Sequence, residues 1–180
     1  MSGPGPGIPP QPAGRTALVV IDMQNSYFEL PGLADLRDGV LARVNELLRA
    51  AHEAGRPVIL TRTRHQRDGS TWTLNMREDR QGFAFPGTEQ AAYLPGLEKG
   101  DHVEVVKTRD SAFHRTDLRE QLDRLQVAHL LLCGVSTHSC VAQTVMAAFA
   151  ENLHVAIARD AVGSEDPDLS EALLDFLRQE

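Results

Sequence analysis

The stretch Ala17-Leu-Val-Val-Ile21 is an unbroken apolar run that ends at Asp22. The run is too short for a helix and rich in β-branched residues, which is typical of a strand buried on both faces of a parallel sheet. Apolar residues then recur at helical spacing between Val40 and Ala51, and a second apolar run follows at Val58-Ile-Leu-Thr61. The order strand, helix, strand predicts a fold built on a parallel sheet.

The same alternation resumes after a long polar stretch at residues 63–100. It predicts three further strands, at Val103–Lys107, His129–Cys133 and Val155–Ala158. Helices are predicted after a capping box at Asp117 to Glu120, from Ser139 to Glu151, and from Leu169 onward. Strands that alternate with helices predict a three-layer α/β/α fold, with helices covering both faces of a mainly parallel sheet.

Composition predicts one domain preceded by a tail. Residues 1–14 are rich in proline and glycine, which do not build a packed element, so we expect a disordered tail there and a single domain over residues 15–180. No apolar run approaches the roughly 18 residues that cross a bilayer. No basic, apolar leader precedes the first strand, and two cysteines do not make a disulfide framework. We therefore expect a cytoplasmic protein that does not enter a membrane.

The charge balance argues against nucleic acid as a partner. The chain has 18 basic and 25 acidic residues and a formal net charge of -7. A surface of this sign repels a phosphate backbone. The basic residues are almost all arginines, since only Lys99 and Lys107 are lysines. Each lysine can therefore be considered individually.

Three reactive side chains fall at strand ends, where open α/β sheets place their ligand sites. Asp22 ends the first strand, Lys107 ends the third, and Cys140 follows the fourth in the turn Gly134-Val-Ser-Thr-His-Ser-Cys140. Each also has a purely structural interpretation. Asp22 would cap a turn, Lys107 would be a surface residue, and Cys140 would be a small packing residue.

Position favours a chemical role for Lys107 and Cys140. A lysine in an arginine-rich chain indicates a need for a titratable amine, because arginine does not give up its proton. Cys140 falls in the first turn of a predicted helix, where backbone N–H groups and the helix dipole lower the pKa of a thiol. Cys133 lies within a run of leucines, so we predict that it only packs.

Other catalytic motifs are missing from the sequence. It contains no His-x-x-x-His pair for a metal, no Gly-rich phosphate loop and no Gly-x-Ser-x-Gly turn. His138, two residues before Cys140, is the one candidate for a Cys–His pair.

Taken together, three motifs resemble those of the isochorismatase-like cysteine hydrolases over residues 15–165. The motifs are Val-Ile-Asp22-Met-Gln-Asn, Val-Val-Lys107-Thr-Arg-Asp-Ser-Ala-Phe and Cys133-Gly-Val-Ser-Thr-His-Ser-Cys140-Val. The family includes isochorismatases, nicotinamidases, N-carbamoylsarcosine amidohydrolases and ureidoacrylate hydrolases. The resemblance implies a doubly wound sheet of five or six strands in the order 3-2-1-4-5, and an oligomer such as a dimer or tetramer.

The resemblance also implies a catalytic triad. Cys140 would be the nucleophile, Asp22 the base that takes its proton, and Lys107 the cation that holds Asp22. It implies a cis peptide between Val135 and Ser136, with the backbone N–H groups of Ser136 and Cys140 as the oxyanion hole. A carboxylate can accept a thiol proton when a nearby cation and a desolvated pocket balance the charges, so the chemistry agrees with the resemblance.

One departure from the family concerns metal binding. Nicotinamidases carry an Asp-x-His motif, a further His and an upstream Asp that hold a divalent metal. The matching stretch here is Thr61-Arg-Thr-Arg-His65-Gln-Arg-Asp-Gly69, in which only His65 remains of that set. We therefore predict an enzyme without a metal or another cofactor, and consider a nicotinamidase less consistent with the sequence.

These observations predict a hydrolase that cleaves a small-molecule amide or ureide through a thioester on Cys140. The alternatives are an enol-ether hydrolase of the isochorismatase type, in which an acid protonates the substrate, and a non-catalytic binding protein of the same fold. We expect the substrate to contact Gln24, Tyr27, Phe28, His65, Trp72 and Phe113. Arginines crowd the segment from Arg62 to Arg80; they predict either an anionic substrate or a solvated basic loop.

Overall fold

The protein is built on a five-stranded parallel sheet. The structure, a computed structural model, describes residues 14–178. The strands are β1 (Arg15–Ile21), β2 (Val58–Thr63), β3 (Val103–Lys107), β4 (Val127–Val135) and β5 (His154–Gly163). Their spatial order is β3-β2-β1-β4-β5, and every neighbouring pair is parallel. The predicted fold class and strand order are confirmed, and no sixth strand occurs within residues 14–178.

Helices connect the strands and cover the sheet. They are α1 (Pro31–Ala34), α2 (Arg37–Glu53), α3 (Leu74–Asp79), α4 (Leu118–Arg124), α5 (Ala142–Ala150) and α6 (Pro167–Leu177). A single turn of 3-10 helix at Tyr27–Glu29 precedes α1, and a π-helical turn at Thr137–Val141 leads into α5. The start of α6 is well capped, because the Asp166 side chain accepts a hydrogen bond from the Leu169 N–H at 3.0 Å and Pro167 opens the helix.

The central strand β1 shows why the fold is doubly wound. Ala17, Val19 and Ile21 lie in a core cluster that contains side chains of α4 and α5. Leu18 and Val20 point to the opposite face and lie in a second cluster, with side chains of α2. Alternate residues of a strand face opposite sides of a sheet, so a continuous apolar run needs cover on both sides. Burial of each large side chain contributes about 1.5–3 kcal/mol.

The structure differs from the sequence prediction at the helix starts. The helix predicted from Ser139 begins at Ala142 as α5, the one predicted from Leu169 begins at Pro167 as α6, and the start of α4 lacks its predicted cap. Asp117 precedes α4, but its side chain does not cap the helix. Its carboxylate accepts a hydrogen bond from the Gln121 side chain at 2.6 Å instead. The predicted capping box at Asp117 to Glu120 is therefore absent, because Asp117 bonds along the helix face rather than to the first N–H groups.

Other expectations concern the ends and the long polar segment. Residues 1–13 of the predicted tail lie outside the described residues. Between residues 63 and 100 the chain forms α3, whose Thr73 side chain accepts a hydrogen bond from the Met76 N–H at 3.4 Å. None of the described helices has the length and apolar character that crossing a membrane requires. Oligomer formation stays a prediction.

Candidate active site

Asp22 lies buried at the carboxyl end of β1, where its backbone adopts a φ of 46°. Two hydroxyls of the neighbouring strand β2 hold its carboxylate. The Thr61 hydroxyl donates to Oδ1 at 3.1 Å, and the Thr63 hydroxyl donates to Oδ2 at 3.2 Å. Lys107 Nζ, at the end of β3, lies 2.6 Å from the same Oδ2. Both side chains of this ion pair are 0% exposed, so water does not screen it.

The ammonium of Lys107 lies between four acceptors. Besides Asp22, it faces the Thr63 hydroxyl at 3.0 Å, the Arg109 carbonyl at 3.1 Å and Cys140 Sγ at 3.3 Å. Burial alone would lower the pKa of Lys107, but the negative charges of Asp22 and Cys140 and the hydrogen bonds outweigh burial, and its pKa is raised. The amine therefore stays protonated and holds both the carboxylate and the sulfur.

Cys140 lies in the π-helical turn after β4, and only 2% of it is exposed. Its Sγ is 3.3 Å from Lys107 Nζ, 3.8 Å from the Tyr27 hydroxyl and 3.9 Å from Asp110 Oδ1. Burial is the largest influence and raises the pKa of the thiol to about 12; Lys107 lowers it, while Asp22 and Asp110 raise it. The expected low thiol pKa is therefore wrong, because burial raises the pKa more than Lys107 lowers it.

Thr63 connects these groups. Its hydroxyl accepts hydrogen bonds from Tyr27 at 2.8 Å and from Lys107 at 3.0 Å, and it donates to Asp22. One donor and two acceptor positions are all that a hydroxyl offers, so its hydrogen bonding is complete. Burial and the charge of Asp22 raise the pKa of Tyr27 well above its usual value, which keeps the phenol neutral and able to donate.

The turn that carries Cys140 begins where the backbone of β4 lies very close to the backbone of β1. Gly134 has a φ of 109°, and a Cβ there would lie 2.0 Å from the Ile21 carbonyl oxygen, so only glycine fits. The peptide bond between Val135 and Ser136 is cis. The Ser136 carbonyl accepts a hydrogen bond from the Val141 N–H at 3.1 Å. The turn therefore leads the chain directly from the sheet edge to the thiol.

His138 does not pair with Cys140. Its Nδ1 lies 2.7 Å from the Ser164 hydroxyl, and its Nε2 lies 3.4 Å from a carboxylate oxygen of Glu165. The Ser136 hydroxyl donates to the same carboxylate group at 3.3 Å. These contacts tie the turn after β4 to the segment after β5 and do not form a Cys–His pair.

A cavity of about 940 Å³ is lined in part by Tyr27. Its apolar wall includes Tyr27, Trp72, Met76, Phe83 and Phe85. The ring of Tyr27 meets that of Phe83 edge-on at 6.0 Å, and its hydroxyl reaches toward Cys140. The cavity is therefore a candidate space for the larger part of a substrate.

Of the six residues expected to contact substrate, Tyr27 and Trp72 line this cavity. The other four do not. Gln24 is fully buried and holds the Thr63 backbone, with its Nε2 2.9 Å from the Thr63 carbonyl and its Oε1 2.7 Å from the Thr63 N–H.

The remaining three belong to the packed interior around the site. Phe28 lies in the core beside α2, and Phe113 packs against the opposite core cluster. His65 is buried against Phe83, with Nδ1 3.1 Å from the Thr71 carbonyl. Burial lowers the pKa of His65. Sequence position placed these residues near the site, but side-chain direction turns them away from the cavity.

Four of the five arginines between residues 62 and 80 form two groups. Arg62 and Arg64 both pair with Glu104 of β3, at 2.7 and 3.8 Å. Arg62 alternates with Thr61 and Thr63 along β2, so its side chain faces away from Asp22. Arg67 and Arg80 line the cavity, but Glu29 and Asp79 line it too.

The described residues contain no group of three or more His, Cys, Asp and Glu side chains placed to hold a metal ion. The position of the Asp in the nicotinamidase Asp-x-His motif is Thr63 here. Its hydroxyl is bonded to Asp22, Lys107 and Tyr27, and His65 Nδ1 lies near the Thr71 carbonyl. The residues present therefore do not fit the metal site of nicotinamidases.

Sequence reasoning missed Thr61, Thr63 and Asp110. A signal for the two threonines was present, because polar residues at alternate positions of a buried strand end must face a polar partner. No comparable signal marks Asp110. It lies in the loop after β3, and only the folded conformation of that loop brings its carboxylate near the Cys140 sulfur.

Comparison with known proteins agrees with this architecture. The sequence matches the family model described as Isochorismatase domain over residues 16–180. The isochorismatase family protein YecD of Escherichia coli O157:H7, whose name marks it as uncharacterized, is 32% identical, with 83% of this chain and 80% of that protein covered.

Two further similarities cover most of the chain. The ureidoacrylate amidohydrolase RutB of Agrobacterium fabrum is 30% identical over 86% of this chain and 78% of its own length. A crystal structure of an isochorismatase family protein from Desulfovibrio vulgaris superposes with a TM-score of 0.81 at 30% identity, covering 92% of this chain and 90% of that one. By sequence, fold and strand order, the chain belongs to the isochorismatase family, as its three motifs predicted.

Proposed function

We propose that this hydrolase cleaves the C–N bond of a small-molecule amide or ureide through a thioester on Cys140. The observation that carries the proposal is the buried contact chain from Asp22 to Lys107 at 2.6 Å and on to Cys140 Sγ at 3.3 Å. The amidohydrolase name of one relative supports the reaction class. Three ionisable groups in contact without water have a high desolvation cost, which is typical of a catalytic site.

The first half of the reaction forms the acyl-enzyme. Cys140 Sγ attacks the carbonyl carbon, and the thiol proton passes to the carboxylate of Asp22. Because burial raises the pKa of the thiol to about 12, the thiolate does not accumulate beforehand, and proton transfer accompanies attack. The C–N bond then breaks, and Asp22 returns the proton to the leaving nitrogen, which departs as ammonia or an amine.

The second half releases the acid. Water attacks the thioester carbon, and Asp22 accepts a proton from the water. The C–S bond breaks, the carboxylic acid leaves, and the proton returns to Cys140. Lys107 keeps its proton throughout and balances the negative charge that moves between Asp22 and the sulfur.

Charge on the carbonyl oxygen also needs stabilisation. We assign this role to the backbone N–H groups of Ser136 and Cys140, at the two ends of the turn that presents the sulfur. A preorganised donor of this kind contributes about 2.7–4 kcal/mol to transition-state stabilisation.

The test is to trap the acyl-enzyme. A library of small amides and ureides is screened for released ammonia, and the best substrate is mixed with enzyme and quenched with acid. We expect a mass increase equal to the acyl group on the peptide that contains Cys140. A Cys140→Ala variant that still releases ammonia at the wild-type rate would contradict the thioester mechanism and favour acid-catalysed cleavage by Asp22.

A further inference from the structure

Asp110 places a second carboxylate beside the proposed nucleophile. Its Oδ1 lies 3.9 Å from Cys140 Sγ, and its Oδ2 accepts a hydrogen bond of 2.7 Å from the Gln143 side chain on α5. Unlike Asp22, Asp110 is partly exposed. Gln143 thus holds one carboxylate oxygen, while the other lies near the sulfur.

The nearby basic side chains are committed elsewhere. Lys107 is bound to Asp22, and the Arg109 guanidinium donates to the backbone carbonyls of Thr71, Thr108 and Trp72 at 2.7, 2.6 and 3.3 Å. Among the ion pairs of residues 14–178, none includes Asp110. Its negative charge is therefore available to a ligand at the thiol.

We propose that Asp110 is a specificity residue that selects substrates with an N–H donor or a positive charge next to the scissile carbonyl and rejects substrates with a carboxylate there. The proposal rests on the proposed function, because it assumes that the carbonyl is attacked by Cys140. It reverses, for this part of the substrate, the anionic preference suggested by the arginine-rich segment.

The geometry gives the reason. A carbonyl carbon ready for attack lies about 3–3.5 Å from the sulfur. With Oδ1 only 3.9 Å from the same sulfur, an atom bonded to that carbon and directed toward Asp110 comes within hydrogen-bonding distance of Oδ1. An N–H or ammonium group satisfies the carboxylate, whereas a carboxylate faces a like charge at close range in a partly desolvated site. A ureide has nitrogen on both sides of its carbonyl and so presents an N–H group in either orientation.

The charge at the thiol can be measured without any substrate. Three methanethiosulfonates are compared: the neutral methyl reagent, the cationic 2-aminoethyl reagent and the anionic 2-sulfonatoethyl reagent. Each transfers its R–S group to the thiolate, forming a mixed disulfide and releasing methanesulfinate. The Cys140→Ala variant gives the background from Cys133, and intact-protein mass spectrometry follows the rates.

The matched control is Asp117→Asn. Asp117, like Asp110, accepts a hydrogen bond from a glutamine side chain, but it lies exposed before α4. We expect Asp110→Asn to lower the cation-to-anion rate ratio at Cys140 about tenfold and Asp117→Asn to change it less than twofold. Added salt should reduce the wild-type ratio, because ions screen a partly exposed charge.

Each outcome decides the proposal. An unchanged ratio in Asp110→Asn, or an equal change in Asp117→Asn, overturns it. Failure of all three reagents to modify Cys140 at pH 10, where more of the thiol is ionised than at neutral pH, also overturns it, since the site would then be closed to a ligand of this size. In the ammonia-release screen, the fastest substrates should carry the N–H or cationic group, and carboxylate-bearing substrates as the fastest would overturn it. The reagent ratios stand even if no amide is hydrolysed, so the two proposals fail separately.

Discussion

The two cysteines of this chain are seven residues apart, and both are buried, but their surroundings differ completely. Cys133 lies within β4, paired with Val20 of β1, in a core cluster of apolar side chains, and its Sγ lies 3.9 Å from the Val19 carbonyl. Burial alone raises the pKa of its thiol. Cys140 lies beyond the strand end, where Lys107, Tyr27 and Asp110 surround the sulfur.

The difference shows that burial does not make a cysteine reactive. Both thiols have raised pKa values because both are desolvated. What distinguishes Cys140 is its position past the carboxyl edge of the sheet, where parallel strands deliver Asp22 and Lys107 to the same place. The following predictions test whether that edge alone separates the two residues.

The largest expected effect is on turnover. Cys140→Ala should lower the rate of substrate hydrolysis by about 10⁴-fold or more, because the nucleophile is gone. Cys133→Ala should retain turnover and lose about 1 kcal/mol of unfolding free energy, because it leaves a small void in β4. Ammonia release and urea denaturation measure the two effects.

The contrast between the two cysteines would fail if both, or neither, were needed for turnover. Wild-type turnover in Cys140→Ala, or a comparable loss in Cys133→Ala with the fold intact by circular dichroism, would show that the strand interior contributes to the chemistry.

The second prediction concerns the ion pair at the strand edge. Lys107→Met should abolish turnover and lower the free energy of unfolding by about 3–5 kcal/mol, because it leaves the buried Asp22 carboxylate without its cation. The double variant Lys107→Met/Asp22→Asn should recover most of the stability and none of the activity. Urea denaturation of the four proteins in this cycle measures the coupling.

A double variant as unstable as the single one would show that Lys107 stabilises the fold mainly by packing. The charges of Asp22 and Lys107 would then matter less for the difference between Cys140 and Cys133 than the comparison suggests.

The proximity of Asp22 and Lys107 at this sheet edge was predictable from sequence, whereas the contacts of the surrounding side chains were not. Asp22 and Lys107 each follow an apolar strand run, and the ends of parallel strands meet, so their proximity follows from patterns of a few residues. The Thr63 contacts and the Asp110 approach depend on side-chain directions in three dimensions. The thiol pKa was mispredicted because the helix terminus can be read from sequence and burial cannot.

The long segment between β2 and β3 shows the same limit. Its residues have no period of 2 or 3.6, so the sequence marks a long polar stretch there but does not place α3 or the cavity wall. Trp72 and Tyr27 were placed near the site by their order after the strands. Phe28 directly follows Tyr27, but its side chain packs into the core. The short 3-10 turn that contains both residues sets these two side-chain directions.

The third prediction is a pH dependence of thiol labelling. With the Cys140 pKa raised to about 12, the reactive thiolate forms only as pH rises far above neutrality, so labelling by iodoacetamide should increase about tenfold for each pH unit from 7 to 10. At pH 8 the thiolate fraction of Cys140 should be more than about a thousandfold below that of a free cysteine, whose thiol has a pKa of about 8.5. Cys133 should stay unlabelled until the protein unfolds. A labelling plateau near pH 8 would contradict the raised pKa and restore the low value expected from sequence.

The smallest expected effect separates two hydroxyls that both bind Asp22. Thr63→Val removes the bonds to Asp22, Lys107 and Tyr27, whereas the control Thr61→Val removes the hydroxyl that bonds Asp22 Oδ1 and the Asp22 N–H. We expect kcat to fall about tenfold in Thr63→Val and about threefold in Thr61→Val, with KM little changed in both. Each should also lose about 1 kcal/mol of stability.

If both threonines had a purely structural role, the two substitutions would lower stability equally and would not change the labelling of the Cys140 thiol. Thr63 instead holds the ammonium that faces the sulfur, so its loss should also shift the pH at which iodoacetamide labels Cys140, and Thr61→Val should not. If the labelling profiles of the two variants coincide, the position of Lys107 does not depend on Thr63. The edge that distinguishes Cys140 from Cys133 would then consist of Asp22 and Lys107 alone.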